Sequence, residues 1–206
     1  MVIFMGKLRH TSMFILMIIT VMYVMTGCGK VNASPSDMDT ISVMKDGNIV
    51  QTIVDEFDRS LYSVDELSAM TKDKIDLYSE EDGDIVCESV EENDNMVIVK
   101  ISYKTGEGYT DFNDKELYFG TVSDASSSGY SVKDMVMNNG TPLSDEQFKQ
   151  IKDNHVLIVQ TEAGEELGIN VYDKIIYMSD NVTLSGKKAA VIGVGEEDRL
   201  SCIVFK

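Results

Sequence analysis

The feature that most limits what this chain can fold into is one long apolar run, Thr11 to Met25 (TSMFILMIITVMYVM), behind Lys7 and Arg9 and ahead of Thr26, Gly27 and Cys28. Spanning a bilayer core takes roughly 20 apolar residues, so this run is short for a membrane helix and right for the apolar part of an export signal. Thr26 and Gly27 are small, as a peptidase groove requires just before a cut. Met1-Val2-Ile3-Phe4 is apolar where a signal ordinarily begins basic and polar, so Met5, opening Met5-Gly6-Lys7-Leu8-Arg9-His10, reads as the cleaner start. The folded protein must then be made from the residues beyond Gly27.

Met25-Thr26-Gly27-Cys28 resembles the lipobox of bacterial lipoproteins, with Met25 standing where that class usually has Leu, Val or Ile. The resemblance implies cleavage between Gly27 and Cys28, a diacylglyceryl group on the Cys28 thiol, and a further acyl chain such as palmitate on the new amino terminus. An uncleaved transmembrane anchor and cleavage by the ordinary signal peptidase are the alternatives. The address implied is the outer, extracytoplasmic face of the cell membrane, with lipid on Cys28 as the membrane contact. Two acyl chains, at about 0.8 kcal/mol per buried methylene, give stable anchoring where one is marginal.

The whole chain carries 18 basic and 35 acidic residues. Lys7 and Arg9 lie in the signal and no acid does, so residues 28 to 206 hold 16 against 35, a net of −19. Such a surface repels phosphate backbones and anionic headgroups, and no nucleic-acid partner is expected. Residues 28–39 are polar and patternless, a tether, and 40–206 suit a single α+β domain.

A hairpin is expected first. Ile41 to Lys45 and Asn48 to Val54 flank Asp46-Gly47, a pair that favours a type I′ turn; Ile49, Val50, Ile53, Val54, Phe57 and Leu61 also fit a helical face. Ser63-Val64-Asp65-Glu66 is a capping box. It opens an amphipathic helix whose apolar face is Val64, Leu67, Met70, Ile75, Leu77 and Tyr78, stopped at Gly83 after the acids Glu80, Glu81 and Asp82. A second hairpin, Asp84 to Val90 with Met96 to Lys104, turns at 91–95, and Val97, Val99, Ile101 and Tyr103 share one face. Then come a short helix near Asp111, a strand at Glu116 to Gly120, a turn or helix through Ser123 to Ser128, and a helix from Ser144 to about Lys152. Short strands come next at Val156 to Thr161, Lys174 to Met178, Val182 to Leu184, Ala189 to Val194 and Leu200 to Phe205. The expectation is an α+β fold with a mainly antiparallel sheet, one well-capped amphipathic helix and a C-terminal β-meander. Leu200 to Phe205 is apolar on both faces, so it belongs inside a sheet rather than at a frayed end.

Lys45-Asp46-Gly47 through Phe57, the Tyr62/Glu66-Leu67 helix start, Tyr109-Thr110-Asp111-Phe112-Asn113, Phe119-Gly120-Thr121-Val122 and Cys202-Ile203-Val204-Phe205-Lys206 are similar to a family of small uncharacterised lipoproteins of anaerobic Gram-positive bacteria. That resemblance implies an address and no activity.

Three short motifs of serine β-lactamases and penicillin-binding proteins occur: Ser42-Val43-Met44-Lys45, Lys104-Thr105-Gly106 and Ser179-Asp180-Asn181. Their order is not that family's, and Ser42 falls in a strand, where residues i and i+3 point to opposite faces. His155 is the one histidine after the signal, and it reads as a surface or strand-end residue. No Cys-x-x-Cys pair offers zinc, and the acidic runs at 80 to 84, 91 to 94 and 196 to 198 lack the calcium-loop glycine, so they read as solvated turns. Cys87 and Cys202 read as buried thiols, with a disulfide as the alternative that export permits.

No catalytic residue, metal ligand or cofactor is therefore named. The chain reads as a lipid-anchored envelope protein, a non-catalytic module for an envelope protein, a wall component or a small solute. The alternative is a hydrolase or transglycosylase with paired carboxylates, which needs only Asp and Glu. A concave pocket holding two carboxylates would favour the second reading, and a convex sheet the first.

Overall fold

The structure, a computed structural model, describes residues 38–60, 63–78, 83–138 and 140–206. The signal, Gly27, Cys28 and the tether up to residue 37 lie outside the described residues, as do Leu61, Tyr62 and the acids Glu80 to Asp82.

The first hairpin forms, with a different turn. Strands β1 (Thr40–Val43) and β2 (Ile49–Glu56) pair antiparallel, Val43 opposite Ile49. The Gly47 amide donates to the Met44 carbonyl and the Met44 amide to the Asn48 carbonyl. Gly47 is left-handed at φ 93°, and Asp46 is not. A type I′ turn needs both central residues at positive φ, so the loop is instead three residues closed by a glycine bulge. The tether also ends early: the Asp39 carbonyl accepts the Gly168 amide, and its carboxylate accepts the Val54 amide at 2.8 Å.

Helix α1 (Val64–Tyr78) starts where the Ser63 hydroxyl accepts the Glu66 amide at 3.1 Å. Its inward stripe is Val64, Leu67, Thr71 and Ile75, of which only Ile75 is fully buried. Met70 and Leu77, expected on that face, point outward, Leu77 at 79% exposure. The helical period sets this: Val64, Leu67, Thr71 and Ile75 follow i, i+3, i+7 and i+11, and Leu77 falls off the stripe. Strand β3 (Ile85–Asn93) runs longer than expected and meets β4 (Met96–Tyr103) through a turn at Asp94-Asn95, with Asp94 at φ 55°. Val97, Val99, Ile101 and Tyr103 are all buried, as the alternation requires.

The remaining elements are α2 (Gly106–Asn113), β5 (Leu117–Thr121), α3 (Val122–Ser127), α4 (Val132–Met135), β6 (Met137–Asn138), β7 (Thr141–Pro142), α5 (Asp145–Gln150), β8 (His155–Thr161), β9 (Leu167–Val171), β10 (Ile175–Met178), β11 (Val182–Leu184), β12 (Ala189–Ile192) and β13 (Arg199–Phe205). Ser144 and Gln147 complete a capping box on α5.

The fold is α+β and the pairing almost wholly antiparallel. The terminal strands, expected as a meander, are instead divided between two sheets. One runs β11-β12-β9-β1-β2-β4-β3 and the other β5-β8-β13-β10-β6-β7. Strands β6, β7 and β9 were not expected from the sequence, and β9 makes the division possible, because it lies parallel to β1 with Ile41 beside Ile169. Gly168 sits there of necessity: a Cβ would fall 2.8 Å from the Thr40 hydroxyl oxygen.

The two sheets share a core in which Ile41, Val43 and Ile49 of one meet Leu157, Val159, Ile203 and Phe205 of the other. The far face of the six-stranded sheet, Val156, Ile158, Cys202 and Val204, is covered by Val122, Ala125, Val132 and Ile151 of the short helices and their loops. Being apolar on both faces, β13 lies inside the sheet, with Ser201 to Phe205 fully buried.

Candidate functional site

Each motif that suggested covalent chemistry is tied into the fold. Ser42 takes a hydrogen bond from Asn170 Nδ2 at 3.4 Å, across the β1–β9 junction. Ser179 directly follows β10, beside the other sheet, where its hydroxyl accepts the Cys202 amide at 2.8 Å. Lys104 pairs with Asp84, and Thr105 caps α2 by accepting the Gly108 amide. The structure brings none of these together as a nucleophile and its base.

Cys87 and Cys202 are both free. Cys87 belongs to the inter-sheet core, whereas Cys202 points to the far face of the six-stranded sheet, away from Ile203 and Phe205. The sheet itself stands between them, so the disulfide that export permits does not form. Burial pushes both thiols above the ordinary cysteine range, Cys202 the more so because it is fully buried, and this disfavours the reactive thiolate.

His155 is a half-buried residue at the start of β8, a strand end as expected. Its ring stacks on Phe119 and Phe205, each with centroids 5.8 Å away, and meets the edge of Tyr172 at 5.6 Å. No group of three or more His, Cys, Asp or Glu among the described residues is arranged to hold a metal.

A shallow cleft of ≈ 510 Å³ lies where α2 meets β5 and β8, lined by Glu107, Asp114, Glu116, Tyr118, Tyr130 and Gln160 among others. Glu116 is its centre. Its amide donates to Gln160 Oε1 at 3.1 Å, its carbonyl accepts the Gln160 amide at 2.8 Å, and its carboxylate accepts the Tyr130 hydroxyl at 2.6 Å. Burial, and then the bond to Glu116, hold the Tyr130 phenol up at about 12, so it stays a donor. The Tyr118 ring meets that of Tyr130 at 5.1 Å. It reaches across Gly120, where a Cβ would lie 2.6 Å from the Tyr118 hydroxyl oxygen. Thr110 fixes the α2 wall by accepting the Leu117 amide at 3.0 Å and donating to the Gly106 carbonyl at 3.1 Å. Beyond the cleft, Lys115 bonds Glu165 at 2.9 Å and lies 3.6 Å from Glu162.

Asp39 lies near this group. Burial pushes its carboxyl above the ordinary carboxylate range against the pull of the Val54 amide, and the charges of Glu165 and Asp55 add to the rise. The cleft residues come from α2, β5, β8 and the loops beside them, so no local motif announces them.

The chain matches no protein-family profile, no curated protein and no solved structure.

Proposed function

We propose that this is a protein lipid-anchored to the outer, extracytoplasmic face of the cell membrane, whose folded part is a non-catalytic binding module. The observation that carries the reading is the Glu116 cleft, whose polar groups are held by their neighbours around a shallow, open depression. An acidic concavity with two tyrosine rings suits a polar ligand bearing hydroxyl or cationic groups. The hydroxyl and lysine groups that a covalent mechanism would need support the same reading, since they serve as structural ties.

A second reading rests on the same cleft, because Glu107, Asp114 and Glu116 bring three carboxylates to one concavity, as a glycoside hydrolase needs two. Glu116 already accepts a tyrosine proton, and an open depression does little to exclude water or grip a sugar ring.

The anchor is tested by metabolic labelling with a fatty acid. The wild-type chain should take up label and begin at Cys28 after processing, and Cys28→Ala should lose both. Label retained on Cys28→Ala, or a mature chain beginning elsewhere, defeats the lipoprotein reading. The module is tested by capturing partners from the parent envelope with the full chain and with Glu116→Gln/Tyr130→Phe. Loss of a captured component with the variant supports binding in the cleft. Release of reducing ends from wall glycan by the wild type, abolished in that variant, would establish the hydrolase instead.

A further inference from the structure

A group of acidic loops and a group of lysines lie at opposite ends of the strands of this protein. Strands β8 and β13 run antiparallel with His155 opposite Phe205 and Thr161 opposite Arg199, and β9 leads from Leu167 at the Thr161 end to Val171 at the His155 end. Beyond Thr161 lie the loops carrying Glu162, Glu165, Glu166, Glu196, Glu197 and Asp198, joined by the Gly164 amide on the Gly195 carbonyl and the Ala163 amide on the Asp198 carboxylate. At the other end four exposed lysines converge. The Lys206 amide donates to the Lys174 carbonyl at 3.1 Å, the Ile175 amide to Lys187 at 2.9 Å and the Val171 amide to Lys188 at 2.9 Å.

Among the described residues none of these four lysines is ion-paired. Lys188 Nζ donates to the Tyr172 carbonyl. The acid on the same loop, Asp173, accepts the Lys174 amide at 2.7 Å, and the β1–β2 turn at this end offers Lys45 and Asp46 together.

We infer that this lysine end is a binding surface for a linear phosphodiester polymer of the envelope, distinct from the Glu116 cleft. The net negative charge does not forbid it. The seven residues of β8 hold the acidic loops about 20 Å away, whereas charges are screened beyond about 8 Å at physiological salt. An approaching anion is therefore governed by the local cluster. Lysines without arginine suit mobile phosphates, to which they act as point charges with no fixed fork to match. The half-buried His155 and Tyr172 rings are engaged with each other and with Phe205 rather than set out side by side as a base-stacking platform, so the chemistry is a phosphate chain rather than a nucleic acid.

The choice of a polymer over the membrane rests on anchoring at Cys28; the lysine cluster itself does not. The chain joins the fold at Asp39, beside Gly168 and Val54, at the opposite end of β1 from Val171 and Lys188.

The test uses the full chain in detergent and fluorescence anisotropy with labelled long-chain polyphosphate. The wild type should bind, and three phosphate contacts should weaken affinity about tenfold between 50 and 150 mM salt. Lys174→Glu/Lys187→Glu/Lys188→Glu/Lys206→Glu should lose at least about tenfold, with an unchanged thermal melt showing that the fold persists. Reversal of Lys72, Lys100, Lys149 and Arg199, the last at the acidic end, gives the same net charge and should stay within about twofold. Equal loss in both variants, no binding by the wild type, tighter binding to single-stranded DNA, or binding to phosphatidylglycerol vesicles without binding to polyphosphate would each overturn the assignment. Cys28→Ala should bind polyphosphate like the wild type, so failure of the anchor and failure of the patch are read separately.

Discussion

The carboxylate of Asp39 accepts the backbone amide of Val54 at 2.8 Å, binding the residue that begins the folded part to the far end of the first hairpin. The Asp39 carboxyl and that of Asp55 are both raised above 3.8, chiefly by burial. A folded state that holds these protons more tightly than the unfolded chain gains stability below pH 3.8 and loses it as pH rises through the raised values. Asp39→Asn keeps an oxygen for Val54 and drops the charge, so its stability relative to wild type should improve as pH rises from 3.5 to 7.5. Urea midpoints at the two pH values check this, and a relative decline at the higher pH would contradict it. Asp39→Ala leaves a buried amide unpaired and should cost about 1–3 kcal/mol.

In the cleft, Tyr130→Phe and Glu116→Gln each disturb one hydrogen bond at a partly exposed site, and each should cost about 1 kcal/mol. Because the two groups bond each other, the double variant should lose clearly less than the sum of the singles. Additive losses in denaturant titrations would mean that the pair is not coupled in solution.

Gly168→Ala places a methyl group against the Thr40 hydroxyl at the β1–β9 junction. The overpacking should cost about 1–3 kcal/mol, and Thr40→Ala/Gly168→Ala should recover part of it. Thermal melts of the single and double variants decide, and no recovery would place the strain elsewhere.

Deleting residues 199 to 206 removes β13 from between β8 and β10 and strips both cores of the six-stranded sheet. The product should aggregate. A monomer with an unaltered cooperative melt would be incompatible with the topology.

Local elements were legible in the sequence and their assembly was not. Ser63 and Ser144 announced their helices, and the Val97 to Tyr103 alternation gave the buried face, because capping and pleat are short-range rules. The β1–β2 turn was misread because Asp-Gly serves two hairpin loops of different length. Strand β9 was missed because Gly168 and Asn170 weaken its strand signature, and both are explained only by neighbours in β1. The cleft was invisible for a related reason: Glu107, Glu116, Tyr130 and Gln160 meet only after both sheets have formed, and the lysine end arises in the same way.

The parallel seam between β1 and β9 also sets an order of events during synthesis. The segment β1-β2-β4-β3 is complete once Tyr103 has emerged, but Ser42 waits for Asn170, 128 residues later, before that flank of β1 is covered. Closing so long a loop is slow, and meanwhile β1 is an open strand edge able to pair with another nascent chain. The window for misassembly should therefore be set by how quickly residues 104 to 171 follow, and slowed translation after Tyr103 should raise the aggregated fraction without changing the stability of what does fold.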